Sequence, residues 1–265
     1  PSVGASEGQA PNGAWPFVYP PARMYEPTRR FREKEDPMRA LMPPAVTTAI
    51  VRRSIGRSLR TGLASISVCG SLPAGPAVIA ANHQSWWDGY VLGSLSVRAG
   101  AEPVIVMTAR QLGRFPFLRT VGAVAPAELR EAARRTSRGA HTVIFPEGTL
   151  GHGPTIAPLH GGAAWLARTT ASPLIPTAIR VTLRGGPLPE AFVRYGEALA
   201  PDADLAPALQ STLSALDADL SACDPEGDVP GYHAVLRGQA PRRDVVTTSV
   251  RLLAALSGTP SRESA

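Results

Sequence analysis

The chain has 265 residues, 44% of them hydrophobic and 18% charged, with a formal net charge of +6. That length and apolar content exclude a disordered chain and support one or two domains with a sizeable core. No apolar run reaches the roughly 18 residues of a spanning helix and no charged-then-apolar leader opens the chain, so membrane contact is expected from the surface and the compartment is expected to be cytoplasmic.

Residues 1–36 are rich in Pro, Gly and Ser and then in mixed charge, and lack a regular period. They read as an extended or disordered arm. From Pro43, "PPAVTTAIVRRSIGRSLR" predicts a short helix with Val46, Ile50, Ile55 and Leu59 broadly on one side and Arg52, Arg53, Arg57 and Arg60 elsewhere. Two roles fit it: an amphipathic cover for the core, or a basic helix lying on an anionic bilayer. Strands and helices then alternate. "SISVCG" and "AVIAA" read as strands, and a helix follows from about Asp88 to Val97. "PVIVMT", "HTVIFP", "LIPTAIRVT" and "FVRYGEAL" read as further strands, with helices at "AELREAARRTS" and "HGGAAWLARTT". Such alternation predicts an α/β fold, a mixed and largely parallel sheet flanked by helices, with its sites where strands end and loops begin. From Pro201 the leucines Leu205, Leu209, Leu213, Leu216 and Leu220 recur at helical spacing, and "RRDVVTTSVRLLAALSG" predicts a last helix. The expected division is an arm over 1–36, a domain over 37–200 and a C-terminal helical extension over 201–265.

The positive charge suits an anionic partner such as a nucleotide-bearing cofactor, a lipid surface or nucleic acid. It is spread along the chain and no nucleic-acid-binding module is present, which sets nucleic acid aside. Lys34 is the only lysine; the bland reading of that is codon usage, and arginine is compatible with phosphate contacts. Cys69 and Cys223 have no metal-ligand spacing and are expected as free thiols in a reducing compartment.

Two stretches carry chemistry. In "AVIAANHQSWWD" a five-residue apolar strand runs into His83, and Asp88 falls in the first turn of the next helix. A carboxylate folded back onto one ring nitrogen fixes the tautomer and stabilises the imidazolium, leaving the other nitrogen to take a proton. Histidine, with an ordinary pKa of about 6.5, can take a hydroxyl proton near neutral pH. No G-x-S-x-G elbow is present and Ser85 lies in no serine-hydrolase setting, so the pair suits activation of a substrate hydroxyl. In "VIFPEGT" a buried strand ends at Pro146, Glu147 and Gly148, either a plain turn or a binding loop. His141, His152, His160 and Glu147 show no ligand-spaced pair, and no metal site is expected. Trp86 and Trp87 suit packing, an apolar wall for an acyl chain, or an interfacial anchor.

Together, "NHQSWWD", "FPEGT", "PLIPTAI" and "RQLGRFPFLRTVGAV", in this order from about Ile66 to Leu199, resemble the glycerolipid (lysophospholipid) acyltransferase superfamily. The resemblance implies that fold and transfer of a fatty acyl group from acyl-CoA or acyl-carrier protein to a lipid hydroxyl, without a metal or other cofactor. It implies His83 as general base, Asp88 as its orienting partner, and Glu147, Gly148 and Thr149 at the acceptor site. Pro176, with Trp86 and Trp87, is expected on the acyl-donor side. Both substrates being lipidic, the chain is expected at a membrane surface, peripheral on the inner face of the cell membrane.

Departures from the family pattern bear on the acceptor. Relatives acting on phosphate-bearing acceptors usually carry arginines where this chain has Ala125 and Pro126, and Leu150; His160 stands at the usual basic residue of the following loop. Fewer arginines mean fewer charge-assisted bonds to a phosphate. The acceptor is therefore either a lipid alcohol without phosphate at that place, or one whose phosphate is met by Arg110, Arg114, Arg119 or Arg180; Arg119 is assigned to the acceptor site. Two rival functions use the same residues: a thioesterase in which water replaces the acceptor, and a non-catalytic lipid-binding protein.

Overall fold

The structure, a computed structural model, describes residues 43–151, 153–200 and 203–238. The expected arm over 1–36, the last helix after Arg242 and His152 lie outside the described residues.

An eight-stranded sheet forms the centre, in the order β4-β3-β5-β2-β6-β7-β1-β8. In chain order the strands are β1 (Ser65–Cys69), β2 (Ala77–Ala81), β3 (Pro103–Val106), β4 (Ala123–Val124), β5 (His141–Ile144), β6 (Leu174–Thr182), β7 (Glu190–Tyr195) and β8 (His233–Arg237). From β4 through β3, β5, β2 and β6 all neighbours are parallel. β6 pairs antiparallel with β7, β7 parallel with β1, and β8 closes the edge antiparallel to β1. The mixed, largely parallel sheet is as the sequence predicts.

β2 explains the layering. All five of its side chains are fully buried. Ala77, Ile79 and Ala81 join one core cluster while Val78 and Ala80 join another, as the two-residue period of a strand requires. A strand that is apolar on every side chain needs both faces covered, as parallel sheets in α/β folds have. On one face lie α1 (Pro44–Gly62) and α2 (Asp88–Arg98), contributing Leu59, Val91, Leu92 and Leu95. Between β3 and β4 sits a short helix, α3 (Ala109–Arg114), whose N-cap Thr108 accepts from the N–H of Gln111 at 3.3 Å. The other face is covered by α4 (Leu129–Thr136), α5 (Gly162–Thr170) and α6 (Leu205–Ser221), through Ala132, Leu166, Leu209 and their neighbours.

Two expectations change. In α1, Ile55 and Leu59 turn inward, whereas Val46 and Ile50 stay exposed at 43% and 53%. The step from Ile50 to Ile55 exceeds one turn of about 3.6 residues, so the two apolar pairs fall on different faces. The stretch from Pro201, expected as a helical extension, supplies both a helix packed on the sheet and the edge strand β8. β8 buries only Leu236, which is why "HAVLR" gives so weak a strand signal.

Candidate active site

Parallel pairing brings the two motifs together. β2 and β5 are neighbours in the sheet, with Ala80 opposite Ile144, so His83 and Glu147 leave their strands side by side, each three residues beyond that pair. Both lie at the carboxyl ends of adjacent strands, where α/β sheets place their ligands. Asn82 anchors the exit. It is buried, its Oδ1 accepts from the N–H of Ile179 at 2.8 Å, and its Nδ2 donates to the carbonyl of Ile179 at 3.1 Å. The side chain thereby continues the hydrogen bonding of β2 to β6 while the chain turns away.

His83 is held from three directions. Nδ1 donates to Oδ2 of Asp88 at 2.9 Å, and the ring stacks on Phe145 with centroids 4.2 Å apart. Its main-chain N–H donates to Oε1 of Glu147 at 3.1 Å. Asp88, buried at the start of α2, also accepts from the N–H groups of Gln84 and Ser85 at 2.7 and 2.8 Å, and from the Ser85 hydroxyl at 2.6 Å. A buried carboxylate is tolerated when donors surround it, and here they also stop it turning. With Nδ1 committed to Asp88, Nε2 is the nitrogen left for a substrate proton.

Glu147 is a strut. Oε1 accepts from His83 and Oε2 from the N–H of Ala157 at 2.9 Å, and the residue is 6% exposed. The following Gly148 has φ +68°, a conformation that favours glycine, and a Cβ there would crowd the His160 ring at 3.1 Å.

Beside His83 a cavity of about 650 Å³ opens between α1, α2, β3 and α3. Ile55, Leu59, Tyr90, Ile105, Leu118 and Val121 make it largely apolar. Gly89 and Gly93, one turn apart on α2, also line it, and a Cβ on either would meet the Ile105 side chain at 3.7 and 3.5 Å. His83, Ser85, Phe145, Gly148, Thr149 and Leu150 form the end at the sheet edge. Arg52, Arg60 and Arg98 also line it; Arg98 lies at the far end of α2, about 15 Å of helix from Asp88. Burial pushes the Tyr90 phenol above its ordinary value and so keeps it neutral in this lining.

The residues singled out in the sequence divide accordingly. His83, Trp86, Gly148 and Thr149 line the cavity, and Asp88 and Glu147 support it from behind. Trp86 is 54% exposed and sits edge-on to Phe115, 5.3 Å between centroids, at the rim. Trp87 instead packs on α1, its ring so close that a Cβ on Gly62 would lie 2.4 Å from it. Pro176 is buried in β6 against Gly196 and does not line the cavity. Arg119 stands apart as well, its guanidinium bound to both oxygens of Glu128 at 2.9 and 3.0 Å. Arg114 lies over the Phe115 ring at 5.4 Å, and neither it nor Arg110 lines the cavity. Arg180 is engaged with Asp217. Among the described residues no three His, Cys, Asp or Glu side chains could hold a metal ion. Sequence reasoning missed Phe145, Gln84 and the cavity wall of α1 and α3; only "IFP", an aromatic at the exit of a buried strand, signals the first.

Residues 65–180 match the family model described as Acyltransferase. Over 129 residues the chain is 29% identical to a lyso-ornithine lipid O-acyltransferase of Pseudomonas aeruginosa, a match covering 46% of this chain and 50% of that protein, so the chain spans about half the length of that curated relative. The crystal structure of the 1-acyl-sn-glycerophosphate (LPA) acyltransferase PlsC from Thermotoga maritima shares the fold, with a TM-score of 0.50, 19% identity, and coverage of 71% of this chain and 84% of that one.

Proposed function

We propose, from the match of residues 65–180 to the Acyltransferase family model, that this chain moves a fatty acyl group from an acyl thioester to a hydroxyl of a lipid acceptor. The observation that carries this reading is the Asp88-held imidazole of His83 at one end of an apolar cavity. Nε2 takes the hydroxyl proton as the acceptor oxygen bonds to the thioester carbonyl carbon. The carbon–sulfur bond then breaks, and the imidazolium returns its proton to the departing thiolate. Asp88 keeps Nε2 directed outward and stabilises the imidazolium between the two transfers. The cavity suits the acyl chain, because burying methylenes gains about 0.8 kcal/mol each. The donor is an acyl-CoA or an acyl-carrier protein, and the chemistry needs no further cofactor.

The acceptor in this reading carries no phosphate beside the reacting hydroxyl. Pro126 and Leu150, where phosphate-binding relatives are expected to carry arginine, line the cavity as apolar surface. Arg119 and Arg180, which could have compensated, are paired with Glu128 and Asp217. The relative named for a lyso-ornithine lipid points the same way.

Access is from a bilayer surface. No described helix is long and apolar enough to cross a membrane. α1 carries Arg52, Arg53, Arg57 and Arg60 without an acidic residue and exposes Val46 and Ile50, a composition suited to an anionic leaflet such as the inner face of the cell membrane.

The test is incubation of the full chain with labelled long-chain acyl-CoA, or acyl-carrier protein, and a lyso-ornithine lipid or a lysophosphatidic acid, beside His83→Ala. A His83-dependent acylated ornithine lipid is expected. Free fatty acid as the sole product would replace the transferase with a thioesterase, and transfer to lysophosphatidic acid alone would overturn the acceptor assignment.

A further inference from the structure

The loop after "FPEGT" is tied down by groups from every side. The N–H of Gly151 donates to the carbonyl of His83 at 2.7 Å. The carbonyl of Gly153 accepts both from Gln84 Nε2 at 3.1 Å and from Arg180 Nη2 at 3.3 Å. Gln210 on α6 accepts from the N–H of Ile156 at 3.0 Å and donates to the carbonyl of Pro154 at 2.9 Å. Glu147 holds Ala157. Arg180 is itself gripped in a fork by Asp217, Nε to Oδ1 at 2.6 Å and Nη2 to Oδ2 at 2.5 Å, and its side chain is 14% exposed. Gln210 and Asp217 are seven residues apart on α6 and so share one face.

We propose that Arg180, fixed by Asp217, is a positioning residue for His83, and that α6, which lies outside the family-matched stretch, completes the site by bracing the 150–159 loop with Gln210. His83 and Gln84 bind Gly151 and Gly153, while Thr149 and Leu150 at the start of the same loop form the cavity end beside the imidazole. A displaced loop moves the base and the wall it faces together. The bidentate fork is suited to this use, since its two parallel bonds fix direction as well as distance. It also accounts for an arginine close to the site that does not line the cavity.

The kinetic arm of the test rests on the acyl-transfer reading; the structural arm does not. Asp217→Asn, Arg180→Gln and Arg180→Lys would be compared in the full chain by amide hydrogen exchange, by the imidazole resonance of His83 and by turnover of the donor and acceptor. Asp217→Asn and Arg180→Gln should speed exchange at Gly151 and Ile156 about tenfold while β2 stays protected, and should shift the His83 resonance. In turnover, kcat should fall about ten- to a hundredfold with the donor KM and the position of the pH profile unchanged. Arg180→Lys should recover part of both losses. Equal acceleration in β2 and the loop would reduce the pair to general stability and overturn the proposal. So would a loop that loosens without moving the His83 resonance, or one that does not loosen. If loop and resonance respond as expected but the parent chain transfers no acyl group to any lipid, the brace stands and the acyl-transfer reading falls.

Discussion

Glu147 accepts the main-chain N–H of His83 at 3.1 Å, and its other oxygen accepts that of Ala157 at 2.9 Å. The glutamate of the "FPEGT" block thus joins the exit of β5 to the exit of β2 and to the far side of the loop that follows. Glu147→Gln keeps one acceptor but turns an NH₂ group toward an N–H that had been satisfied. The expected cost is about 1–3 kcal/mol of stability, the penalty for a buried donor left unmade. Denaturant unfolding would measure it. In turnover, kcat should fall while the KM for the lipid acceptor holds; a rise in that KM alone would make Glu147 a substrate ligand instead.

Gly93 stands in the interior of α2, where glycine lowers helix stability by roughly 1 kcal/mol relative to alanine. A Cβ there would lie 3.5 Å from Cδ1 of Ile105, ordinary contact that nonetheless takes up cavity width. Gly93→Ala should therefore raise stability by up to about 1 kcal/mol while reducing turnover of long-chain thioesters. Gly93→Leu should move the preference toward short chains. Competition between acyl thioesters of different lengths reads this directly, and an unchanged preference would place the acyl chain elsewhere.

The arginines of α1 should bind anionic vesicles. Each basic group near an anionic leaflet contributes about 1 kcal/mol, so the double reversal Arg53→Glu, Arg57→Glu should lower vesicle partitioning by more than about tenfold. Co-sedimentation with phosphatidylglycerol vesicles at rising salt is the measurement, and partitioning of the parent chain should weaken with salt. Binding that ignores both salt and the reversals would reject a charge-led contact through α1.

How much of this the sequence disclosed follows the range of the interactions involved. His83 and Asp88 are five residues apart, so a strand followed by the first turn of a helix already implied their contact. The buried strand β2 announced itself by an unbroken apolar run, and the alternation of strands with helices implied a largely parallel sheet. The resemblance placed Glu147 at the acceptor site, but its main-chain partners were hidden, because the register of β2 against β5 is what brings His83 beside it. The same distance hid Arg180, which could have been assigned to a phosphate until Asp217, 37 residues away, is seen to hold it. Val46 and Ile50 misled through local geometry, since apolar residues on two faces of one helix give no single stripe.

His141 supplies a pH dependence independent of the chemistry. It is fully buried in β5, Nε2 donates to the carbonyl of Gly75 at 2.9 Å, and Nδ1 has no partner among the described residues. Burial pushes its pKa below the ordinary histidine value, opposed by the bond to Gly75. The folded chain thus favours the neutral ring, whereas the unfolded chain takes up a proton below about pH 6.5. Stability from this group is complete above that pH and is lost as pH falls toward the depressed folded value. His141→Gln, which keeps a donor for Gly75 but cannot titrate, should flatten that part of the profile. Urea unfolding of parent and variant between about pH 7.5 and pH 5.5 isolates the difference, because every other group is common to both. Equal slopes would mean that His141 meets its proton without loss, through a partner for Nδ1 in the folded state.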